Sequence, residues 1–135
     1  MANITKTMFA DVKFTGCKMY GLKFNTCASF MTFRFDDCVL NYTSFYKTKI
    51  KHTVFKNCSL QDVDFAEADL SDAVFEECDL LNALFDGTNL EKADLRSAYN
   101  LSMNPDINKI RKTKFSLISA VGLLAKYDIV IEGRG

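Results

Sequence analysis

The 135-residue chain carries one histidine, one proline and no net charge. A single histidine and no Cys-x-x-Cys pair leave no tetrahedral zinc set. His52 has no serine or cysteine partner in sequence, and neither a glycine-rich phosphate loop nor a nucleophile elbow occurs. No apolar run is long enough to span a bilayer, and no secretory leader is read. These absences argue against an enzyme, a cofactor, a small-molecule substrate and a membrane partner. They lead to the expectation of a cytoplasmic, non-catalytic protein.

What the chain does have is a period of five. A large apolar residue stands at Phe35, Leu40, Phe45, Ile50, Phe55, Leu60, Phe65, Leu70, Phe75, Leu80, Phe85, Leu90 and Leu95. Two residues ahead of each later member runs a ladder of small or apolar residues: Cys38, Thr43, Thr48, Thr53, Cys58, Val63, Ala68, Ala73, Cys78, Ala83, Thr88 and Ala93. A step of five gives no stripe on a helix and changes face on a strand each time. These residues share one interior only if the chain bends once per repeat. The centre and the residue two before it then point inward, and the residue between them points out. The bend falls on the next two positions. The second of them is Gly16, Gly21, Asp37, Asn57, Asp62, Asp72, Asn82 or Gly87, types that tolerate turns and positive φ.

Phe alternates with Leu or Ile along the ladder, so the number of sides per coil is even. Cys38, Cys58 and Cys78 recur at a spacing of twenty, which suggests four sides. Each Phe then stacks on another one coil away, about 4.8 Å along the axis. Upstream, Phe9, Phe14, Met19 and Phe24 keep the same rhythm one register earlier. One extra residue near 27–30 shifts the phase and predicts a bulge or widened corner there. Allowing for it, Cys17 joins the column of Cys38, Cys58 and Cys78.

Ala68-Asp69-Leu70-Ser71-Asp72, Ala73-Val74-Phe75-Glu76-Glu77 and Ala93-Asp94-Leu95-Arg96-Ser97 resemble the consensus of the pentapeptide-repeat family. The resemblance covers roughly residues 8 to 98. It implies an all-β solenoid, a right-handed quadrilateral β-helix of about four to five coils. Lys13, Lys18, Lys23 and Arg34 depart from the consensus and change the surface rather than the fold.

The repeat domain is read as residues 1–98, with residues 99–135 forming a C-terminal cap. After Ala98 the register lapses into a loop. Asn104 and Pro105 start a short helical turn reaching Lys112, and 113–115 form a last repeat turn. A capping α-helix is expected at about 116–127, its stripe of Leu117, Val121, Leu124 and Ala125 facing the last coil. A short strand is expected at 128–131. Apolar width beyond one face makes Leu117, Val121, Leu124, Ile129 and Ile131 candidates for a homodimer contact. Relatives that pair through C-terminal helices point the same way. Ile131-Glu132-Gly133-Arg134 matches a protease recognition sequence, so Glu132 to Gly135 are read as an appended scar.

Charge is sorted along the chain. Residues 1–60 hold nine Lys/Arg against three Asp/Glu, residues 61–100 two against eleven, and residues 101–135 six against three. The acidic stretch is the candidate partner-binding surface: Asp62, Asp64, Glu67, Asp69, Asp72, Glu76, Glu77 and Asp79, continued by Asp86, Glu91 and Asp94. Two functions compete for it. One is a scaffold or interaction module for an unknown protein partner. The other is implied by the resemblance: a DNA mimic that binds DNA gyrase or topoisomerase IV and protects against fluoroquinolones. The basic early coils argue against the second, because a saddle built for DNA repels them. The cysteines read as small apolar filler, reduced in a reducing compartment.

Overall fold

The computed structural model describes residues 11–24 and 32–132. Four short strands, β1 (Asp11–Thr15), β2 (Thr32–Asp36), β3 (Val54–Lys56) and β4 (Val74–Glu76), form one parallel sheet in chain order. Pairing does not stop there. Single bridges recur every five residues, as Val39↔Ser59, Ser44↔Asp64, Lys49↔Asp69 and Val54↔Val74, each joining residues twenty apart. The structure is a repeat β-helix whose coil consumes twenty residues and has four pairing points.

Before Phe24 the offset is twenty-one, as in Phe14↔Phe35 and Lys23↔Ser44. From Arg34↔Val54 onward it is twenty. The offset therefore changes between Phe24 and Arg34. The bulge expected there, like Phe9, lies outside the described residues.

All thirteen ladder residues from Phe35 to Leu95 are buried. The Phe rings make two columns, Phe14–Phe35–Phe55–Phe75 and Phe24–Phe45–Phe65–Phe85, with centroids 4.8–5.4 Å apart and nearly parallel planes within each. Between columns the rings meet edge to face, as Phe55 and Phe65 do at 5.9 Å and 77°. Each ring thus offers its positive edge to a neighbour's negative face, and the two columns interlock half a coil out of step. Phe33 sits on the small ladder and is buried as well, edge-on to Phe24.

Nine of the described corners are closed the same way. The centre's carbonyl accepts the N–H three residues on, as in Thr48 to Phe45 at 3.1 Å and Ala68 to Phe65 at 3.1 Å. The second corner residue has positive φ, at all eight of the Gly, Asn and Asp positions above. Tyr42, Lys47, His52, Glu67, Glu77 and Lys92 also adopt it, with φ of 54–65°. These side chains are strained there, which gives a prediction. Glu67→Gly relieves a left-handed cost of about 1–2 kcal/mol and incurs a chain-entropy cost of about 0.5–1 kcal/mol. The expected result is a gain of up to about 1.5 kcal/mol, read as a higher urea midpoint at unchanged slope.

The tail departs from expectation. The register survives Ala98: Tyr99 pairs with Asp79, Lys109 with Asn89 and Lys114 with Asp94, so the coil continues to Phe115. The helical turn expected up to Lys112 is a 3-10 turn of Pro105–Ile107 only, capped by the Asn104 side chain on the Asp106 N–H. Hydrogen bonding to the preceding coil outcompetes local helix beyond it, as Leu90 N–H to Lys109 O at 2.8 Å shows.

The expected capping helix is one α-helical turn, α1 (Leu117–Ala120), running into 3-10 helix over Val121–Tyr127. Ser116 and Ser119 cap each other reciprocally at its start. The face turned to the coil is not the predicted leucine stripe. Ser119 is buried, Leu123 packs on the core, and the Gly122 carbonyl accepts the Met103 N–H at 3.1 Å. Three residues per 3-10 turn bring 119 and 122 under one another, and the close approach selects small residues. No strand forms over 128–131; Asp128 is left-handed and the chain beyond it is unpaired in the described residues.

Candidate interaction surface

With the bore filled, the charged residues are displayed on a convex exterior. The acidic residues separate into two kinds by geometry. At the outward position between the ladders, Asp64, Asp69, Asp79 and Asp94 are half-buried, and each accepts the backbone N–H two residues on at 2.8–3.1 Å. They are corner caps. Burial draws the Asp79 carboxyl upward, but donation from Asn100, Gln61 and the Leu81 N–H outweighs it and holds the group below its ordinary range. The Arg96 guanidinium holds Asp94 low in the same way.

Asp62, Glu67, Asp72 and Glu77 are the other kind. They stand on four successive corners of one coil, all with positive φ. Glu76 and Asp86 lie exposed beside that coil. The result is a girdle around the rod rather than a row along it. Along the axis each corner changes character: Lys47, Glu67 and Gly87 share one column, and His52, Asp72 and Lys92 another, by the twenty-residue register. In the sequence these acids form one continuous stretch. The cue that divides them is position in the repeat, since an Asp between the ladders has its own corner N–H groups within reach.

A second surface feature is the tail. Leu117 is 92% and Ile118 82% exposed, and Val121, Leu124, Ile129 and Ile131 are exposed as well. Leu101, Ile118, Val121, Leu124, Ile129 and Ile131 line an open cleft of about 480 Å³. Lys126 pairs with Asp106 and fastens the 3-10 segment to the preceding loop.

Beneath the surface, Cys17, Cys38, Cys58 and Cys78 form the expected column, with all four thiols free and the last three buried. Burial pushes the Cys38 thiol up to about 11. The hydrogen bond shared with Cys58, and burial after it, push Cys78 higher still. A thiol that titrates above its ordinary 9.0 when folded stabilises the fold fully below pH 9, and that contribution is lost as pH rises through 11. The thermal midpoint should therefore fall between those pH values, and Cys38→Ala should flatten the fall.

Among the described residues no helix is long and apolar enough to cross a membrane. Comparison with known proteins bears on the whole. A search of curated proteins finds no significant match. Among solved structures, a pentapeptide repeat protein, Rfr23, from the cyanobacterium Cyanothece 51142 is 19% identical, with 78% of this chain and 88% of that one covered and a TM-score of 0.35. A trypsin-treated form of QnrB1, a plasmid-mediated fluoroquinolone resistance protein, is 14% identical over 94% and 100%, with a TM-score of 0.32. HetL, a pentapeptide repeat protein involved in heterocyst differentiation regulation from the cyanobacterium Nostoc, is 22% identical over 70% and 41%, with a TM-score of 0.38. The family model for the pentapeptide repeat region matches residues 28–99. With ladder, corners and coil register in agreement with that match, the chain belongs to the pentapeptide-repeat family.

Proposed function

We propose that this protein is a non-catalytic scaffold or interaction module, a right-handed four-sided rod that engages a protein partner with the outside of its coils. Right-handed crossovers are the rule for parallel strands. The observation that carries the reading is the girdle of Asp62, Glu67, Asp72 and Glu77 around a filled bore. Among the described residues its filled coils enclose no water-excluding site for chemistry, and its free carboxylates suit a basic partner surface. The test is a four-site variant, Asp62→Asn, Glu67→Gln, Asp72→Asn and Glu77→Gln, compared with the unaltered chain for co-purifying proteins. Binding that is indifferent to those four charges removes the girdle as the contact.

The sorted charge favours one alternative, the DNA mimic that engages gyrase or topoisomerase IV. Against it stand the corner-capping role of Asp64, Asp69, Asp79 and Asp94 and the ring-like arrangement of the rest, whereas phosphates run in rows along a duplex. A supercoiling assay with a fluoroquinolone decides it: no protection at large molar excess ends this alternative.

The tail supports a homodimer through Leu117, Val121, Leu124, Ile129 and Ile131, since a monomer rarely leaves so much contiguous apolar surface in water. Sedimentation at micromolar concentration should give twice the chain mass, and Leu117→Asp with Ile129→Asp should return it to one. A monomer in the unaltered protein sinks that contact.

A further inference from the structure

The thiol column has a geometry that filler residues do not need. Bridges Lys18↔Val39, Val39↔Ser59 and Ser59↔Asp79 place Cys17, Cys38, Cys58 and Cys78 at one register position in successive coils. Cys38, Cys58 and Cys78 are 0–2% exposed, and Cys17, in the first described coil, is half-buried. Each buried sulfur lies against two carbonyl oxygens. For Cys58 these are Phe35 O at 3.2 Å and Lys56 O at 3.3 Å. For Cys78 they are Phe55 O at 3.2 Å and Glu76 O at 3.4 Å, and for Cys38 Phe14 O at 3.5 Å and Asp36 O at 3.3 Å. Carbonyl dipoles with their negative ends toward sulfur disfavour a bare thiolate and favour a cation beside it.

No three His, Cys, Asp or Glu side chains converge as a polyhedral metal site requires among the described residues. A linear ion does not require that. Two metal–thiolate bonds of about 2.3 Å laid end to end reach about 4.6 Å. The pitch between paired coils is about 4.8 Å. The site is also soft and sulfur-only, the chemistry that selects copper(I) over zinc, calcium or magnesium.

We propose that Cys38, Cys58 and Cys78 bind two soft, linearly coordinated monovalent d10 cations, copper(I) or its analogue silver(I), one between each pair of neighbouring sulfurs. Three thiols and two cations give a sulfur–metal–sulfur–metal–sulfur chain of net charge −1 and release three protons. No electron is transferred.

The experiment titrates the reduced full chain anaerobically with silver(I), and separately with zinc(II). Native mass spectrometry reads stoichiometry, and thermal unfolding reads whether the ligand favours the fold. Two silver ions, a raised midpoint and no zinc uptake are expected. Cys58→Ala made together with Cys17→Ala leaves Cys38 and Cys78 two coils apart with no neighbouring sulfur in the column, and should take the count from two to none. Alanine occupies the same ladder at Ala68, Ala73 and Ala93, so this variant should fold. Cys17→Ala with Cys27→Ala should still bind two, and decides the matter if the Cys17/Cys58 variant does not fold. Silver bound equally by the Cys17/Cys58 variant, lost from the Cys17/Cys27 variant, or taken up only as cooperative unfolding disappears overturns the proposal.

Discussion

Phe65→Ala should lower the unfolding free energy by roughly 3–5 kcal/mol, the range for emptying an aromatic site in a packed core. Phe65 is fully buried and stacks on Phe45 at 5.4 Å and Phe85 at 5.2 Å. It also meets Phe55 and Phe75 edge to face at 5.9 and 5.8 Å. Four aromatic contacts are lost at once, in the middle of a rod whose stability is a sum over neighbouring coils. Among the described residues Phe14 makes one stack, on Phe35, and it is half-buried, so Phe14→Ala should cost clearly less. Urea unfolding of both variants tests the interlocked columns. Equal losses at the two positions would mean that the aromatic contacts across the bore contribute nothing beyond burial.

The second large effect is expected at Gly122. A Cβ there would lie 2.0 Å from the Leu101 carbonyl oxygen and 2.7 Å from its carbon, both backbone atoms with no room to turn aside. Gly122→Ala must push the 3-10 segment off the last coil, breaking the Met103 N–H to Gly122 O bond and uncovering Leu101 and Met103. Overpacking of this kind costs roughly 1–3 kcal/mol. The damage should stay local, because the coils are held by their own pairing. Limited proteolysis should cut the variant within 117–127 while the repeat region survives, and the Phe columns should unfold as before. A variant that resists protease like the parent would show that the cap approaches the coil less closely than described.

Much of the architecture was legible because each coil repeats the same instruction. Phe35 through Leu95 announced a bend every fifth residue, and the twenty-residue spacing of cysteines announced the size of the coil. Corner geometry was legible where Gly, Asn or Asp stood, but not at Tyr42, Lys47 or Glu77, where pairing to adjacent coils forces a conformation that the residue itself disfavours. The inward face of the cap was missed for a different reason. An apolar helical stripe normally marks the buried side, yet here the approach is so close that Ser119 and Gly122 take it with Leu123, and Leu117 and Leu124 turn outward. Among the acids, the sequence offered eleven between 61 and 100. Position in the repeat, and the hydrogen bonds it allows, separate Asp64 and Asp69, bound to their own corners, from Glu67 and Glu77, free to meet a partner.

The uniform offset of twenty between paired residues from Arg34 onward has a consequence for how such a chain can lengthen or shorten. Duplicating twenty residues inserts one more storey, and every ring above it still finds a ring below. Removing five carries all downstream residues one side onward and sets leucines over phenylalanines. Heredity can therefore edit this molecule by whole storeys, while its outer walls remain open to being rewritten one letter at a time.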